Sequence, residues 1–259
     1  MAPRITIKDV RLSYRPVILR LPFHFGSTTV TSAQEAYVHV RIEGAGGVSD
    51  GFGAQLMVPR WFDKRPDQSN DDTVATLRRV MECAATAAME LHGTVRSIGR
   101  NLRSAGETAL PQDIPALALG FGPSVLEMAL IDALCRLHGC SFAEAARSDL
   151  FGLAADAFAD IDGASIVRAL DSIAPQQSIA VRHTVGYGAP LTPDEVTDDL
   201  NDGLPVALTD VIAATGIRAF KIKLKGEVDA DFARLERMAP LLDTLDTYTV
   251  TLDANAQYE

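Results

Sequence analysis

The sequence predicts a mixed fold, in which an antiparallel α+β region is followed by alternating strands and helices that build a parallel sheet. Two observations support this prediction. Near the amino terminus, alternating polar and apolar segments flank a glycine-rich turn, and helical segments follow them. Near the carboxyl terminus, two short alternating strands lie on either side of a helical pattern. Strands joined by a tight turn pair antiparallel, whereas strands joined through a helix pair in parallel.

The amino-terminal region is predicted to form a three-stranded antiparallel meander. Residues 4–14 have the pattern of a strand, and residues 35–43 alternate polar and apolar side chains. The glycine-rich run at residues 44–47 indicates a turn, after which residues 48–53 return along the sheet. We expect residues 23–31 to form a loop.

Helices are predicted to follow the meander. We expect a long helix that is capped by Asp71 or Asp72, runs to His92 and is ended by Gly93. The polar segment at residues 99–113 is expected to be irregular.

The next helix is predicted to be buried, because apolar residues lie on nearly every side of it. The spacing of Ser124 and Glu127 is that of a capping box, and Gly139 ends the helix. Glu127 and Asp132 on such a helix need partners, which favours a cap and an internal ion pair over catalysis. Ser141 begins a second capping box, for a shorter helix.

The predicted domains are an α+β domain at residues 1–150, a linker at residues 151–177 with room for one short helix, and a second domain at residues 178–259. In the second domain, residues 178–185 are predicted to form a strand and residues 206–215 a helix ended by glycine.

Composition restricts the class of partner. The chain has 259 residues, of which 47% are apolar, and its 34 acidic against 24 basic residues give a net charge of −10. An acidic protein does not suit nucleic acid or an anionic membrane surface. The residues after Met1 do not have the charged-then-apolar pattern of a leader, and no apolar run approaches 18 residues, so we expect a cytoplasmic protein.

The cysteines are few and odd in number. Cys83, Cys135 and Cys140 are expected to be free thiols of a reducing compartment. A redox pairing of Cys135 with Cys140 remains an alternative, although their spacing is not that of a CxxC motif, and ordinary packing is the simpler interpretation.

Candidate functional side chains lie on the segment at residues 219–225. Period-two alternation places Phe220 and Ile222 on one face, and Lys221, Lys223 and Lys225 on the other. Taken alone, such a lysine face is typical of a solvated edge strand.

A second strand changes that interpretation. In residues 248–255, Asp253 and Asn255 lie on the polar face, and the intervening helical pattern has Asp229 or Asp231 as its candidate cap. In a strand–helix–strand unit both polar faces are turned to the same side, so Asp253 is expected near the lysines. Chemistry in a (β/α)₈ barrel lies at these carboxyl ends.

These features together resemble the enolase superfamily, specifically its mandelate racemase and muconate lactonizing enzyme branches. The resemblance rests on the meander, the buried helix that begins Ser-Val-Leu-Glu-Met-Ala, the Lys221-Ile222-Lys223 strand end and the Asp253-Ala254-Asn255 strand end. It implies an α+β capping domain followed by part of a (β/α)₈ TIM-type barrel, of which this chain holds about the first three strands.

The resemblance also implies chemistry. A divalent metal, usually Mg²⁺, holds a small carboxylate substrate, and a base removes the adjacent proton to give an enediolate. By motif position, Lys223 is implied as the base, Lys221 as a positive charge near the substrate carboxylate, Asp253 as the first metal ligand and Asn255 as a substrate contact or support. Developing negative charge requires such fixed positive charge.

Three departures from the family pattern bear on the prediction. Lys225 stands where glycine is common, and we expect it at the barrel rim. Ala54 follows Gly51-Phe52-Gly53 where glutamate is common. The sequence stops just after the third strand, so we expect a fragment of a longer protein that lacks a complete metal site and is inactive alone. The intact protein is expected to form a homo-oligomer.

Alternatives remain open at this point. Racemisation, epimerisation, cycloisomerisation and dehydration share the same first half-reaction. A Schiff-base barrel enzyme with Lys223 as nucleophile is a second enzymatic hypothesis. A non-catalytic, truncated relative that acts as a binding module is a third.

Overall fold

The computed structural model describes residues 2–25, 28–157, 160–197, 200–255 and 257–258. The chain divides into two compact units. The first comprises Met1–Ile18 and Ser32–Pro175, and the second comprises Leu19–Thr31 and Gln176–Glu259. The first unit thus takes in nearly all of the predicted linker. The domain boundaries at 150 and 178 stay a prediction, because compactness does not show which parts fold by themselves.

A four-stranded antiparallel sheet with strand order β3-β2-β1-β4 confirms the predicted meander and adds a strand to it. The added strand is the dipeptide predicted as the end of a helix, and it pairs antiparallel with the start of β1. The strands are β1 (Ile5–Phe25), β2 (Thr28–Gly44), β3 (Gly47–Met57) and β4 (His92–Gly93).

The loop predicted at residues 23–31 is wrong where the structure describes it, because β1 runs to Phe25 and β2 starts at Thr28. Residues 26 and 27 lie outside the described residues. Aromatic and β-branched side chains, which this segment has in Phe23, Thr29 and Val30, favour strands.

Six helices and one 3₁₀ turn accompany this sheet among the described residues. The helices are α1 (Asn70–Ala88), α2 (Val95–Ala109), α3 (Ala116–Leu119), α4 (Phe121–His138), α5 (Phe142–Arg147) and α6 (Gly163–Asp171), and the turn is Ala154–Asp156.

Two helix predictions need correction. Ser69, not Asp71 or Asp72, caps α1, because its side chain accepts a hydrogen bond from the Asp72 amide while the Asp72 carboxylate binds the Ser69 amide. The segment predicted to be irregular at residues 99–113 is mostly helix α2, whose cap is Thr94. Its polar residues lie on the outer face, and Ile98 and Leu102 are buried.

Helix α4 forms the centre of the first unit's core and packs on β3. It begins at Phe121, so Ser124 lies inside the helix and the predicted capping box does not form. The end at Gly139 is confirmed, with the left-handed conformation expected of a C-cap glycine. Close packing on β3 requires glycine: a Cβ on Gly51 would come within 2.2 Å of the Ala129 carbonyl oxygen.

By length and composition, one described helical stretch is apolar enough to cross a membrane. It is Ala116–His138, with a mean hydropathy of 1.5 in its most apolar window, 56% of which is buried inside the protein. Buried core helices of soluble proteins reach similar values, and α4 is such a core helix in the first unit.

The second unit contains a three-stranded parallel sheet of order β5-β6-β7, as predicted. The helix-facing side of its central strand is buried, with Phe220 and Ile222 packed against Met238 and Leu242. The described elements are β5 (Arg182–Val185), the 3₁₀ turn Pro193–Glu195, α7 (Leu208–Thr215), β6 (Ala219–Lys223), α8 (Val228–Leu242) and β7 (Thr249–Asp253).

Candidate active site

Strand register brings the predicted site residues to one edge of the parallel sheet. Lys221 lies opposite Thr251, and Lys223 lies opposite Asp253. Partner residues in a parallel pair project to the same face, so both lysines and the aspartate lie on the side away from the helices. They stand at or near the carboxyl ends of their strands, where (β/α) proteins carry their chemistry.

One carboxylate binds both amines. Oδ2 of Asp253 lies 2.5 Å from Nζ of Lys221 and 2.9 Å from Nζ of Lys223. The second amine also donates a hydrogen bond to Oδ1 of Asn255, over 2.7 Å. All four predicted site residues therefore meet in one cluster, which we call the lysine–aspartate cluster: Lys221, Lys223, Asp253 and Asn255.

Burial within the cluster is uneven. The Lys223 side chain is only 2% exposed, whereas those of Lys221 and Asp253 are 25% and 20% exposed. The interpretation of these lysines as a solvated face is thus wrong for Lys223, since a buried ammonium needs a charged or hydrogen-bonding partner. Its ammonium also lies 5.9 Å from the ring centroid of Phe23, near the limit for a cation–π contact.

The electrostatics of Asp253 follow from these contacts. Burial raises the pKa of its carboxyl, but hydrogen bonds from Lys221, Lys223 and the Asn255 amide outweigh burial and hold the pKa well below its usual range. The carboxylate is therefore ionised at neutral pH.

Backbone geometry explains why asparagine stands at position 255. Its φ of 51° is left-handed, a conformation that asparagine tolerates better than most residues. The Asn255 amide donates to Oδ1 of Asp253 at 3.0 Å. That turn aims the Asn255 side chain back at Lys223.

Asp231 has a role that sequence reasoning missed. It was a candidate helix cap, but Glu227 occupies the N-cap of α8, without a side-chain cap bond. The Asp231 side chain instead accepts hydrogen bonds from the backbone amides of Lys225 and Gly226, both at 2.9 Å, and from the Tyr258 hydroxyl at 2.6 Å.

Asp231 thereby ties the loop after β6 to the segment after β7. Burial raises the pKa of its carboxyl, but those hydrogen bonds have the larger effect and hold the pKa below its usual value. Gly226 makes the close approach of the two segments feasible: its φ is 91°, and a Cβ there would come within 2.5 Å of Cβ of Gln257. Asp231 and Gly226, which order this loop, lie eight and three positions after Lys223. That spacing indicates their role only once the fold is known.

Other polar residues that the sequence singled out do not join the cluster. Lys225 is exposed and pairs with Glu227 at 2.8 Å. In the first unit, Glu127 pairs with Arg103 at 2.8 Å rather than serving in the predicted cap, and Asp132 forms an ion pair, with Arg136 at 2.9 Å.

A cavity of about 830 Å³ in the second unit lies at the other end of the sheet. Its lining includes Val181 just before β5, Ala219 at the start of β6 and Thr249 at the start of β7. The amino ends of barrel strands serve stability rather than chemistry, so we place the candidate active site at the lysine–aspartate cluster.

The described residues do not by themselves build a Mg²⁺ site. Within the described ranges, no group of three or more His, Cys, Asp or Glu side chains is placed to hold a metal ion. Mg²⁺ needs six oxygen ligands in near-octahedral geometry. The cluster offers the Asp253 carboxylate and the Asn255 amide oxygen, and both already accept hydrogen bonds from lysine.

No family profile matches the chain, and no curated protein matches it by sequence. Solved structures do match it. A dipeptide epimerase from Methylococcus capsulatus, in complex with Mg and the dipeptide L-Arg-D-Lys, is 21% identical with a TM-score of 0.56 and matches 98% of this chain and 55% of its own.

Two further structures agree. An enolase from Bradyrhizobium, in complex with magnesium and mandelic acid, is 18% identical with a TM-score of 0.59 and matches 99% of this chain and 56% of its own. A muconate lactonizing enzyme from Pseudomonas fluorescens, in complex with muconolactone, is 17% identical with a TM-score of 0.57 and matches 98% and 54%.

The fold is an α+β domain of the capping type followed by part of a (β/α)₈ barrel, as predicted. It is the fold of the mandelate racemase and muconate lactonizing enzyme branches of the enolase superfamily, which confirms the predicted resemblance at the level of structure. The chain spans about half the length of the solved structures that it matches.

Proposed function

We propose that this chain supplies the proton-abstracting part of an isomerase or lyase that acts on a small carboxylate substrate. The lysine–aspartate cluster at the carboxyl ends of β6 and β7 is the observation that carries the proposal. The matched enzymes support the general reaction type, since their names include an epimerase and a lactonizing enzyme. Racemisation, epimerisation, cycloisomerisation and dehydration all begin by removing a proton next to a carboxylate.

The residues divide the work by position. Lys221 and Asp253 form the accessible side of the cluster, and Lys223 lies behind them. We assign to the Lys221 ammonium the attraction of the substrate carboxylate and of the negative charge that develops on it. Lys223 takes the adjacent proton on Nζ, and the Asn255 amide orients that amine.

The resting cluster sets a condition on this role. Nζ of Lys223 donates hydrogen bonds to Asp253 and Asn255, so as a base it would present its lone pair away from both acceptors. Asp253 would be one ligand of a Mg²⁺ ion, which would supply positive charge to the substrate carboxylate, and the matched complexes with Mg are consistent with that role.

Affinity labelling tests the proposal on the 259-residue chain. An α-halo acid such as 2-bromopropionate presents a carboxylate to Lys221 and an electrophilic α-carbon where the base attacks, so Nζ of Lys223 displaces bromide. Proximity is expected to make alkylation of Lys223 roughly tenfold or more faster than that of the other lysines. Peptide mapping by mass spectrometry gives the rate at each lysine.

The controls lie in the same strand. Lys221→Ala is expected to slow labelling of Lys223, and unreactive mandelate is expected to protect it. Lys225→Ala is expected to have no effect on labelling, because Lys225 is exposed and paired with Glu227. Labelling that follows exposure, with Lys225 modified first and no protection by mandelate, would contradict the proposal and favour a non-catalytic binding module.

A Schiff-base mechanism predicts a different result. A carbonyl compound with borohydride would then trap Lys223 irreversibly without any carboxylate on the probe. Such trapping, together with slow alkylation by 2-bromopropionate, would show that Lys223 acts as a nucleophile and not as a base.

A further inference from the structure

Cys135 and Cys140 are brought together by the end of helix α4. The Cys140 amide donates to the Cys135 carbonyl at 3.1 Å, and the Gly139 amide donates to the Arg136 carbonyl at 3.2 Å. This pair of hydrogen bonds, with Gly139 left-handed at a φ of 62°, is a Schellman motif. The motif characteristically places the side chains of its first and last residues in contact, and here both are cysteine.

Both thiols are free, and they are close enough for Cys140 to affect the electrostatics of Cys135. Burial, the neighbouring Cys140 and Asp132 together raise the pKa of the Cys135 thiol to about 11, with burial the largest cause. Cys140 is the more exposed of the two.

Small reagents can reach this pair. Cys135 and Cys140 both line a cavity of about 520 Å³ on the first unit, together with Met128, Asp132 and Phe142. The cavity belongs to the first unit alone and shares no residue with the lysine–aspartate cluster. The thiol pair is therefore independent of the proposed function.

We propose that Cys135 and Cys140 form an oxidisable dithiol site that closes to an intramolecular disulfide when it meets a low-molecular-weight disulfide such as glutathione disulfide. The Cys140 thiolate attacks one sulfur of glutathione disulfide, which forms a mixed disulfide and releases one glutathione thiol. Cys135 then loses its proton and attacks the Cys140 sulfur, which forms the Cys135–Cys140 bond and releases the second glutathione. Two cysteine thiols are oxidised, and one glutathione disulfide is reduced to two thiols.

The roles follow from exposure and acidity. The thiolate is the attacking species in exchange, so the buried Cys135, with its raised pKa, is the poorer first nucleophile and the resolving group. Cys83 lies on α1 rather than in this turn, and it provides an internal control.

The test treats the reduced 259-residue chain with glutathione disulfide and maps disulfides by mass spectrometry without reduction. We expect a Cys135–Cys140 cross-link in the wild-type chain and, unchanged, in Cys83→Ser. Cys135→Ser is expected to stop at a Cys140–glutathione mixed disulfide. In Cys140→Ser, the initial rate of glutathione incorporation at Cys135 is expected to fall at least tenfold below that at Cys140.

Two results would overturn the proposal. One is a wild-type chain that accumulates glutathione on Cys140 without closing. The other is a principal cross-link that includes Cys83. Circular dichroism of each serine variant verifies that it folds, and phenylarsine oxide, which bridges paired thiols, gives a second readout: it must bind the wild-type chain and Cys83→Ser, and it must fail to bind Cys135→Ser or Cys140→Ser.

Discussion

Asp253 compensates two positive charges, and one of them is almost completely buried. The Lys223 side chain is 2% exposed, and its ammonium contacts Asp253 and Asn255. Removing one partner of a buried ion pair leaves a charge without compensation, which costs more than the pair contributes. The stability of the second unit is therefore expected to depend on this one carboxylate.

We predict that Asp253→Ala lowers the free energy of unfolding by about 3 kcal/mol, within the range for breaking a buried pair. Chemical denaturation followed by circular dichroism measures the change. The matched control is Glu227→Ala, which removes the partner of the exposed Lys225 and is expected to cost less than about 1 kcal/mol.

A double variant separates charge from packing. Asp253→Ala combined with Lys223→Met removes both members of the pair, and it is expected to recover most of the loss because no buried charge remains. Equal losses in Asp253→Ala and Glu227→Ala, or no recovery in the double variant, would show that Lys223 does not depend on Asp253.

At the scale of elements, the packing of α4 on β3 depends on glycine at fixed places. A Cβ at Gly51 would come within 2.2 Å of the Ala129 carbonyl oxygen and 2.4 Å of the Ala133 amide nitrogen. These are backbone atoms of the helix, so the strand and the helix would have to move apart. Gly53 has the same relation to the Val125 carbonyl oxygen, at 2.6 Å.

We therefore predict that Gly51→Ala destabilises the first unit by about 3 kcal/mol, at the upper end of overpacking costs. Gly106→Ala is the matched control. It places the same methyl group in helix α2, where a Cβ meets nothing within 4 Å, and it is expected to stabilise by up to about 1 kcal/mol. Melting temperatures measure both changes: we expect a lower value for Gly51→Ala and an equal or higher value for Gly106→Ala. A Gly51→Ala protein as stable as the wild type would refute the packing argument.

How much the sequence could predict differs among the elements. Period-two alternation and glycine turns located β6, β7 and the meander, because side-chain direction in a strand depends only on local geometry. The end of α1 was predicted too late, since His92 and Gly93 leave the helix to pair with β1, and pairing partners that are distant in sequence leave no local signal. Helix α2 was missed because its buried stripe is narrow.

The candidate site shows the same division. The meeting of Lys221, Lys223 and Asp253 followed from strand register alone. The burial of Lys223 did not, because it depends on the residues that surround the strand end. The loop-ordering role of Asp231 was also hidden, since a carboxylate in the first turn of a helix is ordinarily interpreted as a cap or as a dipole partner.

At the scale of the whole molecule, the parallel sheet is open at both edges within the part of the chain that the structure describes. Strand β7 pairs with β6 on one side, and among the described residues it has no strand on its other side. Val250 and Leu252 on its helix-facing side are 40% and 52% exposed. An open edge with exposed apolar side chains favours association with another chain.

We predict that the 259-residue chain self-associates through this edge, and that Leu252→Lys reduces the association severalfold at equal concentration, because an edge lysine opposes strand pairing. Light scattering coupled to size-exclusion chromatography measures the mass. Val228→Lys, which replaces a 68% exposed valine on α8, should leave the mass unchanged. A monomeric wild-type chain would contradict this prediction.

The carboxylate of Asp231 receives the amides that follow Lys223 and the hydroxyl of Tyr258, which lies beyond Asn255. The Asp231 carboxylate thus links the segments that follow Lys223 and Asp253 through one shared set of hydrogen bonds. Weakening these contacts at either strand end should displace both groups together, so we expect Tyr258→Phe to slow the labelling of Lys223, thirty-five residues earlier in the chain, by 2-bromopropionate.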